Sequence, residues 1–174
     1  MVEKMNDVRT LMADEIECRV GQQNAAKTGC SLLLYKDARV DMRILDETVG
    51  AGWWFRSHRK IGDNLYCKVS IYSKELGMWI AKEDVGTESN TESVKGETSD
   101  AFKRACFNWG IGRELYTAPF VWVNYTPDEM NGKVRPKFKV ADIAYDEKRN
   151  IVRLVIVDTN GAPRFEYLKG GRRC

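Results

Sequence analysis

Two adjacent cations, Lys103 and Arg104, lie in a stretch whose apolar residues recur at helical spacing. From Ser93 onward these apolar residues are Val94, Ala101, Phe102, Ala105, Cys106 and Trp109. They line one face of a helix, and Lys95 and Lys103 share a neighbouring stripe with Arg104 beside it. Gly110 follows as a natural C-terminal cap. The pattern predicts an amphipathic helix with one buried side and one side of small polar groups and cations, which is suited to holding phosphates.

Further cations lie on the elements predicted around this helix. Arg39 and Arg43 are one turn apart on a preceding helix and would project together. The basic candidates for contact with nucleic acid are Arg39, Arg43, Lys68, Lys95, Lys103, Arg104 and Arg113. The aromatic residues interleaved with them are Trp53, Trp54, Phe55, Tyr66, Tyr72 and Trp79. Phosphate contacts from Lys and Arg, combined with stacking aromatic rings, are the ingredients of a groove that binds single strands.

A plainer interpretation of the same residues also stands. The aromatic residues would form the core of any three-stranded sheet, and scattered cations commonly serve only solubility. The net charge of +3 permits binding of nucleic acid without requiring it. Exposed aromatic residues on the sheet would instead favour a protein-interaction module that binds another chain.

The sequence offers few parts for catalysis. It contains no GxSxG or HExxH motif. The segment at residues 21–28 is not a complete Walker A motif, because Ala26 stands where the second glycine of a P-loop belongs. We therefore expect no catalytic residues, no metal and no cofactor. Two enzyme alternatives remain, a magnesium-dependent nuclease that uses Glu83 and Asp84 and a nucleotide-hydrolysing enzyme that uses Lys27. His58 is most simply a strand residue.

Composition and spacing predict an α+β protein that folds as one domain of 174 residues. Helices are expected at 2–20, 32–49 and from 93, and strands at 53–59, 65–72, 78–81, 120–125, 138–145, 151–157 and 164–168. The five cysteines are scattered and expected to be reduced. The N-terminus does not resemble a signal peptide and no apolar run is long enough to span a membrane, so we expect a cytoplasmic location.

Three motifs resemble those of a known family. They are EDVG at 83–86, TSDAFKRA at 98–105 and WGIGRELY at 109–116. Together they resemble the Rad52 family of single-strand annealing proteins, and especially its phage and prophage members. The likeness covers about residues 16–116, which would form the annealing core. Residues 117–168 are then additional C-terminal strands in β-hairpins, and residues 169–174 are a flexible basic tail.

The resemblance implies an antiparallel β-β-β-α core, preceded here by the predicted N-terminal helix pair. It implies a homo-oligomeric ring or arc with single-stranded DNA in an outer basic groove, and annealing in recombination and repair without ATP. By position, Lys103 and Arg104 match the family's groove pair for phosphate, and Arg39 matches a third groove arginine. A single-strand-binding protein is a plausible partner, in a bacterial or phage-infected cell.

Overall fold

The computed structural model describes residues 8–87 and 93–171, with side chains described from residue 96 onward in the second range. The strands are β1 (Glu17–Gln23), β2 (Gly29–Tyr35), β3 (Trp54–Ile61), β4 (Asn64–Ser73), β5 (Met78–Val85), β6 (Val121–Asn124), β7 (Phe138–Tyr145), β8 (Ile151–Asp158) and β9 (Pro163–Leu168). The helices are α1 (Ala38–Val49), α2 (Ser93–Asn108) and α3 (Pro127–Met130). Short 3-10 turns occupy Ala13–Glu15 and Arg113–Thr117.

The chain divides into two compact units. The first unit contains Ala38–Arg113 together with residues 8 and 9, and the second contains Thr10–Asp37 with the chain from Glu114 onward. The α+β class predicted from the sequence is confirmed, because antiparallel sheets and helices are both present. That the chain behaves as one domain stays a prediction. None of the described helices is long and apolar enough to cross a membrane.

The first unit is built on the antiparallel sheet β3-β4-β5, with β4 in the centre. A two-residue turn at Gly62 and Asp63 joins β3 to β4. Cys67, Val69 and Ile71 alternate along β4 and are fully or almost fully buried. Since successive residues of a strand point to opposite faces, these three side chains define the face that α2 covers.

Helix α2 ends where the sequence predicts that it should. Gly110 has φ +97°, in the left-handed region that glycine adopts most easily. The Gly110 amide donates to the Phe107 carbonyl at 3.0 Å, and the Ile111 amide donates to the Cys106 carbonyl at 3.2 Å. These two hydrogen bonds form a Schellman motif, so the prediction of Gly110 as the C-terminal cap is confirmed.

Gly86, at the end of the EDVG motif, lets α2 approach the sheet closely. A Cβ atom at this position would lie 2.5 Å from the Glu97 carbonyl oxygen and 3.1 Å from the Ala101 Cβ. The Gly86 amide donates to the Leu65 carbonyl at 2.8 Å, and the Leu65 amide donates to the Glu97 carboxylate at 3.0 Å. The glycine therefore sets how near the helix lies to the strand ends.

The second unit is built on a six-stranded antiparallel sheet with the order β6-β2-β1-β7-β8-β9. Its core contains a buried carboxylate, Glu114, which accepts from the Leu11 amide at 2.7 Å and from Arg149 Nη2 at 3.2 Å. Arg164 forms a second ion pair in this unit, because its Nη2 donates to the Glu129 carboxylate at 2.7 Å, and its guanidinium lies over the Phe138 ring. These charges are paired, as burial requires.

Of the predicted N-terminal helix pair, the first helix is wrong over the described residues and the second is predicted too long. Within the first predicted helix, residues 2–7 lie outside the described part, and the rest contains the turn Ala13–Glu15 and the start of β1. The second predicted helix begins only at Ala38, because residues 32–35 belong to β2. Leu32 pairs with Val20 on one side and Val121 on the other. This pairing across the sheet overrides the local apolar spacing.

Candidate nucleic-acid interface

A row of three cross-strand neighbours places two cations on the face of the sheet that α2 covers. Arg56 on β3 pairs with Val69 on β4, which pairs with Lys82 on β5. The Arg56 guanidinium lies 4.4 Å from the centre of the Phe102 ring, and Lys82 Nζ lies 4.5 Å from the centre of the Trp109 ring. Because both aromatic rings belong to α2 or its end, one cation flanks the helix at each edge of the sheet.

Arg104 joins α2 to β5. Its Nε donates to Asp84 Oδ1 at 3.3 Å, and its side chain is 46% exposed. Asn108, one turn further along the helix, donates to Asp84 Oδ2 at 3.2 Å and to the Glu83 carbonyl at 3.1 Å. Arg104, which we predict to contact phosphate, thus has an exposed guanidinium group whose Nε is held by Asp84.

Two cations bind the last carbonyl groups of α2. Lys82 Nζ and Arg113 Nη2 both donate to the Asn108 carbonyl, at 2.8 and 2.9 Å. Arg113 Nε also donates to the Phe107 carbonyl at 2.8 Å, with its guanidinium 5.4 Å from the centre of the Phe107 ring. Cations are favourable at the negative end of the helix dipole. Arg113 therefore has a structural contact, and its predicted contact with DNA stays a prediction.

The other predicted helical cations occupy two elements. Lys103 is half-buried on α2 beside Arg104, and within the described residues its ammonium group forms no ion pair. Arg39 and Arg43 are both exposed on α1, one turn apart, and α1 packs against α2 in the same unit. The side chain of Lys95 lies outside the described residues. That these cations line one basic groove stays a prediction.

Lys68 lies on the other face of the sheet. It follows Cys67 and precedes Val69, both of which are buried beneath α2, so its exposed side chain points away from the helix. On that open face Arg59 donates two hydrogen bonds to Glu83, and these hold the pKa of the Glu83 carboxyl below its ordinary value. Lys68 is consequently separated from Lys103 and Arg104 by the thickness of the sheet.

The open face also carries a cluster of exposed aromatic rings. Phe55 and Trp79 meet at 4.8 Å between ring centres, Tyr72 and Trp79 at 5.4 Å, and Trp53 and Tyr72 at 5.3 Å. Trp53, Phe55 and Trp79 are each more than 40% exposed. Of the aromatics that the sequence places on these strands, only Trp54 packs against Phe102 on the helix side. The aromatic cluster is therefore a surface of this unit.

The residues of the two enzyme alternatives have other partners. Glu83 binds Arg59, and Asp84 binds Arg104 and Asn108. Lys27 has φ +53° in the hairpin turn between β1 and β2, where its amide donates to the Asn24 carbonyl at 3.0 Å. Across the described residues, no group of three or more His, Cys, Asp or Glu side chains could hold a metal ion.

Sequence reasoning missed Lys82. The signal was available, because Lys82 and Asp84 alternate on β5 and must share a face once the strand extends to Val85. The predicted strand ends at residue 81, so Lys82 and Asp84 fall just outside it. The role of Asn108 could not be found in this way, since its partners lie on a strand that is distant in sequence.

The first unit belongs to a class that its architecture and its charge define. It is a β-β-β-α unit in which cations surround a helix that packs on one face of a three-stranded sheet. Residues 8–133 match the sequence profile of the Rad52/22 family of double-strand break repair proteins. The chain belongs to this family, as its motifs predicted.

Two curated relatives share part of the chain. Both are named single-stranded DNA-binding protein DdrA. The protein from Deinococcus radiodurans is 26% identical over 141 residues, which cover 77% of this chain and 66% of the relative. The protein from Deinococcus deserti is 27% identical over 127 residues, which cover 69% of this chain and 62% of the relative. The chain thus spans less than two thirds of each relative's length. No solved structure shows significant similarity.

Proposed function

We propose that this protein binds single-stranded DNA in recombination and repair, and that it anneals complementary strands without ATP. The observation that carries the proposal is the set of cations around α2 in a chain of the Rad52/22 family. Both relatives are named as single-stranded DNA-binding proteins, which supports the choice of ligand.

The chemistry of annealing fits such a surface. Base pairing supplies the free energy once two strands are held extended, so the protein needs no catalytic residue and no cofactor. Its task is to grip the sugar-phosphate backbone and leave the base edges accessible. Lysine and arginine do this without reading sequence, and the resulting affinity falls as salt rises.

A strand-annealing assay tests the proposal. Two complementary oligonucleotides, one labelled with a donor dye and one with an acceptor dye, are mixed without ATP or magnesium, and energy transfer is followed over time. Wild-type protein should accelerate annealing, and the double variant Lys103→Ala with Arg104→Ala should lose most of that acceleration while keeping its circular dichroism spectrum. Full activity of the double variant would exclude this surface. Activity that requires magnesium or ATP, and that is lost in Asp84→Ala or Lys27→Ala, would favour an enzyme.

We further propose that the protein self-associates as a ring or arc. Many weak backbone contacts shared by a ring give avidity that a single copy lacks. The exposed rings of Trp53, Phe55 and Trp79 support this part of the proposal, because clusters of exposed aromatics commonly mark protein interfaces. Native mass spectrometry should find an oligomer, and Phe55→Ser with Trp79→Ser should shift the mass toward the monomer. A monomeric wild type would refute self-association.

A further inference from the structure

Asp84 is fixed from three directions near the end of β5, an edge strand. Its Oδ1 accepts from its neighbour's backbone, the Val85 amide, at 2.8 Å, and also from Arg104 Nε at 3.3 Å. Its Oδ2 accepts from Asn108 Nδ2 at 3.2 Å. The side chain of Asp84 is only 25% exposed, against 46% for Arg104. The carboxylate is thus the fixed member of the ion pair, and the arginine is the member that reaches solvent.

The contact with Asp84 uses one edge of the guanidinium group. An arginine offers five N–H donors in a rigid plane, and carboxylates and phosphates bind two of them side by side. Within the described residues, every side-chain hydrogen bond of Arg104 is made by Nε. With Nε bound to Asp84 on β5, the terminal nitrogens Nη1 and Nη2 form no hydrogen bond within the described residues. That pair matches the spacing of two phosphate oxygens.

We propose that Asp84, held in place by Asn108, is a positioning residue that orients Arg104 so that Nη1 and Nη2 together receive one phosphate of single-stranded DNA. The inference rests on the proposed function and deepens it, because it assigns the geometry of one contact. Arg104 then acts through its orientation. Lys103, whose ammonium makes no ion pair in the described part of the chain, contributes charge without fixed geometry.

The alternative is that Asp84 simply repels DNA. A carboxylate near a phosphate opposes binding by Coulomb repulsion, so its neutralisation alone should tighten binding. Positioning predicts the opposite sign, since Asp84→Asn weakens the attraction that orients Arg104. An asparagine also presents an amide group toward the amide of Asn108. The direction of the change therefore separates the two roles.

A double-mutant cycle on affinity for fluorescein-labelled oligo(dT) provides the test, with Asp84→Asn, Arg104→Ala and their combination. In the wild-type background, Asp84→Asn should weaken binding by about threefold to tenfold, the scale of coupling between neighbouring residues. In the Arg104→Ala background it should have no effect or tighten binding slightly. Equal effects in both backgrounds, or tighter binding in the wild-type background, would overturn the proposal.

Arg104→Lys is the matched second variant, because it keeps the charge and removes both Nε and the planar fork. It should weaken binding about as much as Asp84→Asn and leave the salt dependence unchanged, and it remains informative if Asp84→Asn fails to fold. Wild-type affinity in Arg104→Lys would contradict the inference. If Arg104→Ala weakens binding but Asp84→Asn does not, the proposed function stands and the positioning role falls. If the wild type does not bind oligo(dT), both fall.

Discussion

The salt dependence of DNA binding gives the sharpest test of the basic surface on α2. Removal of Lys103 and Arg104 by alanine substitution deletes two adjacent cations, one half-buried and one exposed. Each phosphate that a protein neutralises on a single strand contributes about 0.7 to the slope of log affinity against log salt. If both cations contact phosphate, the magnitude of the slope should fall by about 1.4 in the double variant.

The consequence is large enough to measure by titration. Between 50 and 200 mM salt the concentration rises fourfold, or about 0.6 log units, so a slope difference of about 1.4 corresponds to about 0.8 log units of affinity. The wild type should therefore lose about sevenfold more affinity than the double variant over this range. The assay is fluorescence anisotropy of labelled oligo(dT) at four salt concentrations, because poly-pyrimidine strands avoid secondary structure.

A control variant separates local contact from total charge. Lys133→Ala with Lys148→Ala removes the same charge from two exposed turns of the second unit. Its slope should match that of the wild type if phosphate lies against α2. The reasoning would be refuted if the control lowered the slope as much as Lys103→Ala with Arg104→Ala does, or if the α2 variant kept the wild-type slope. The first result would mean that these cations act only through the overall field, and the second that they do not contact phosphate.

Three further predictions concern the fold. Gly86→Ala forces a Cβ to within 2.5 Å of the Glu97 carbonyl oxygen, so it should destabilise the protein by about 1–3 kcal/mol in urea unfolding, and no change would show that α2 shifts freely. Arg164→Ala should cost about 3–5 kcal/mol because it strands the buried carboxylate of Glu129. Hydrogen bonds from Arg164 lower the pKa of the Glu129 carboxyl in the folded protein. They therefore stabilise the fold above the unfolded pKa of about 4.3, and this stabilisation is lost as the pH falls through the lower folded pKa. The free energy of unfolding of Arg164→Ala should thus depend less on pH in that acid range than the wild-type value does. Burial raises the pKa of Cys67 to about 11, so its thiol should react with Ellman's reagent at pH 8 far more slowly in the folded protein than after unfolding.

The first unit could be predicted well because its signals are local. The turn at Gly62 and Asp63, the alternation along β4 and the cap at Gly110 each decide one boundary within a few residues of sequence. The N-terminal segment offered no such signal for strands. Leu32 and Leu34 become strand residues through pairing with Val20 and Cys18, and a helical spacing of apolar residues competes with that pairing in any single-sequence prediction.

The candidate site divides in the same way. Lys103 and Arg104 could be selected from their own helix, since apolar spacing alone shows that they lie off its buried side. Their electrostatic surroundings could not, because Asp84 and Lys82 come from β5 and are set by strand register. Arg113 shows the opposite case. In the sequence it looks equivalent to Lys103 and Arg104, but in the structure it donates to the carbonyl groups that end α2.

These contacts also explain how one side of α2 packs in the core while its other side carries cations at the surface. Its buried side rests on Val69 and its neighbours, and Arg56 and Lys82 close over its aromatic residues from the two edge strands. A cation that lies on an aromatic ring keeps its charge while its stem covers apolar surface. The sheet therefore adds positive charge beside the helix without interrupting the core. On a sheet without those two cations, the same helix would leave the Phe102 and Trp109 rings less covered, and we expect it to hold a polyanion less tightly.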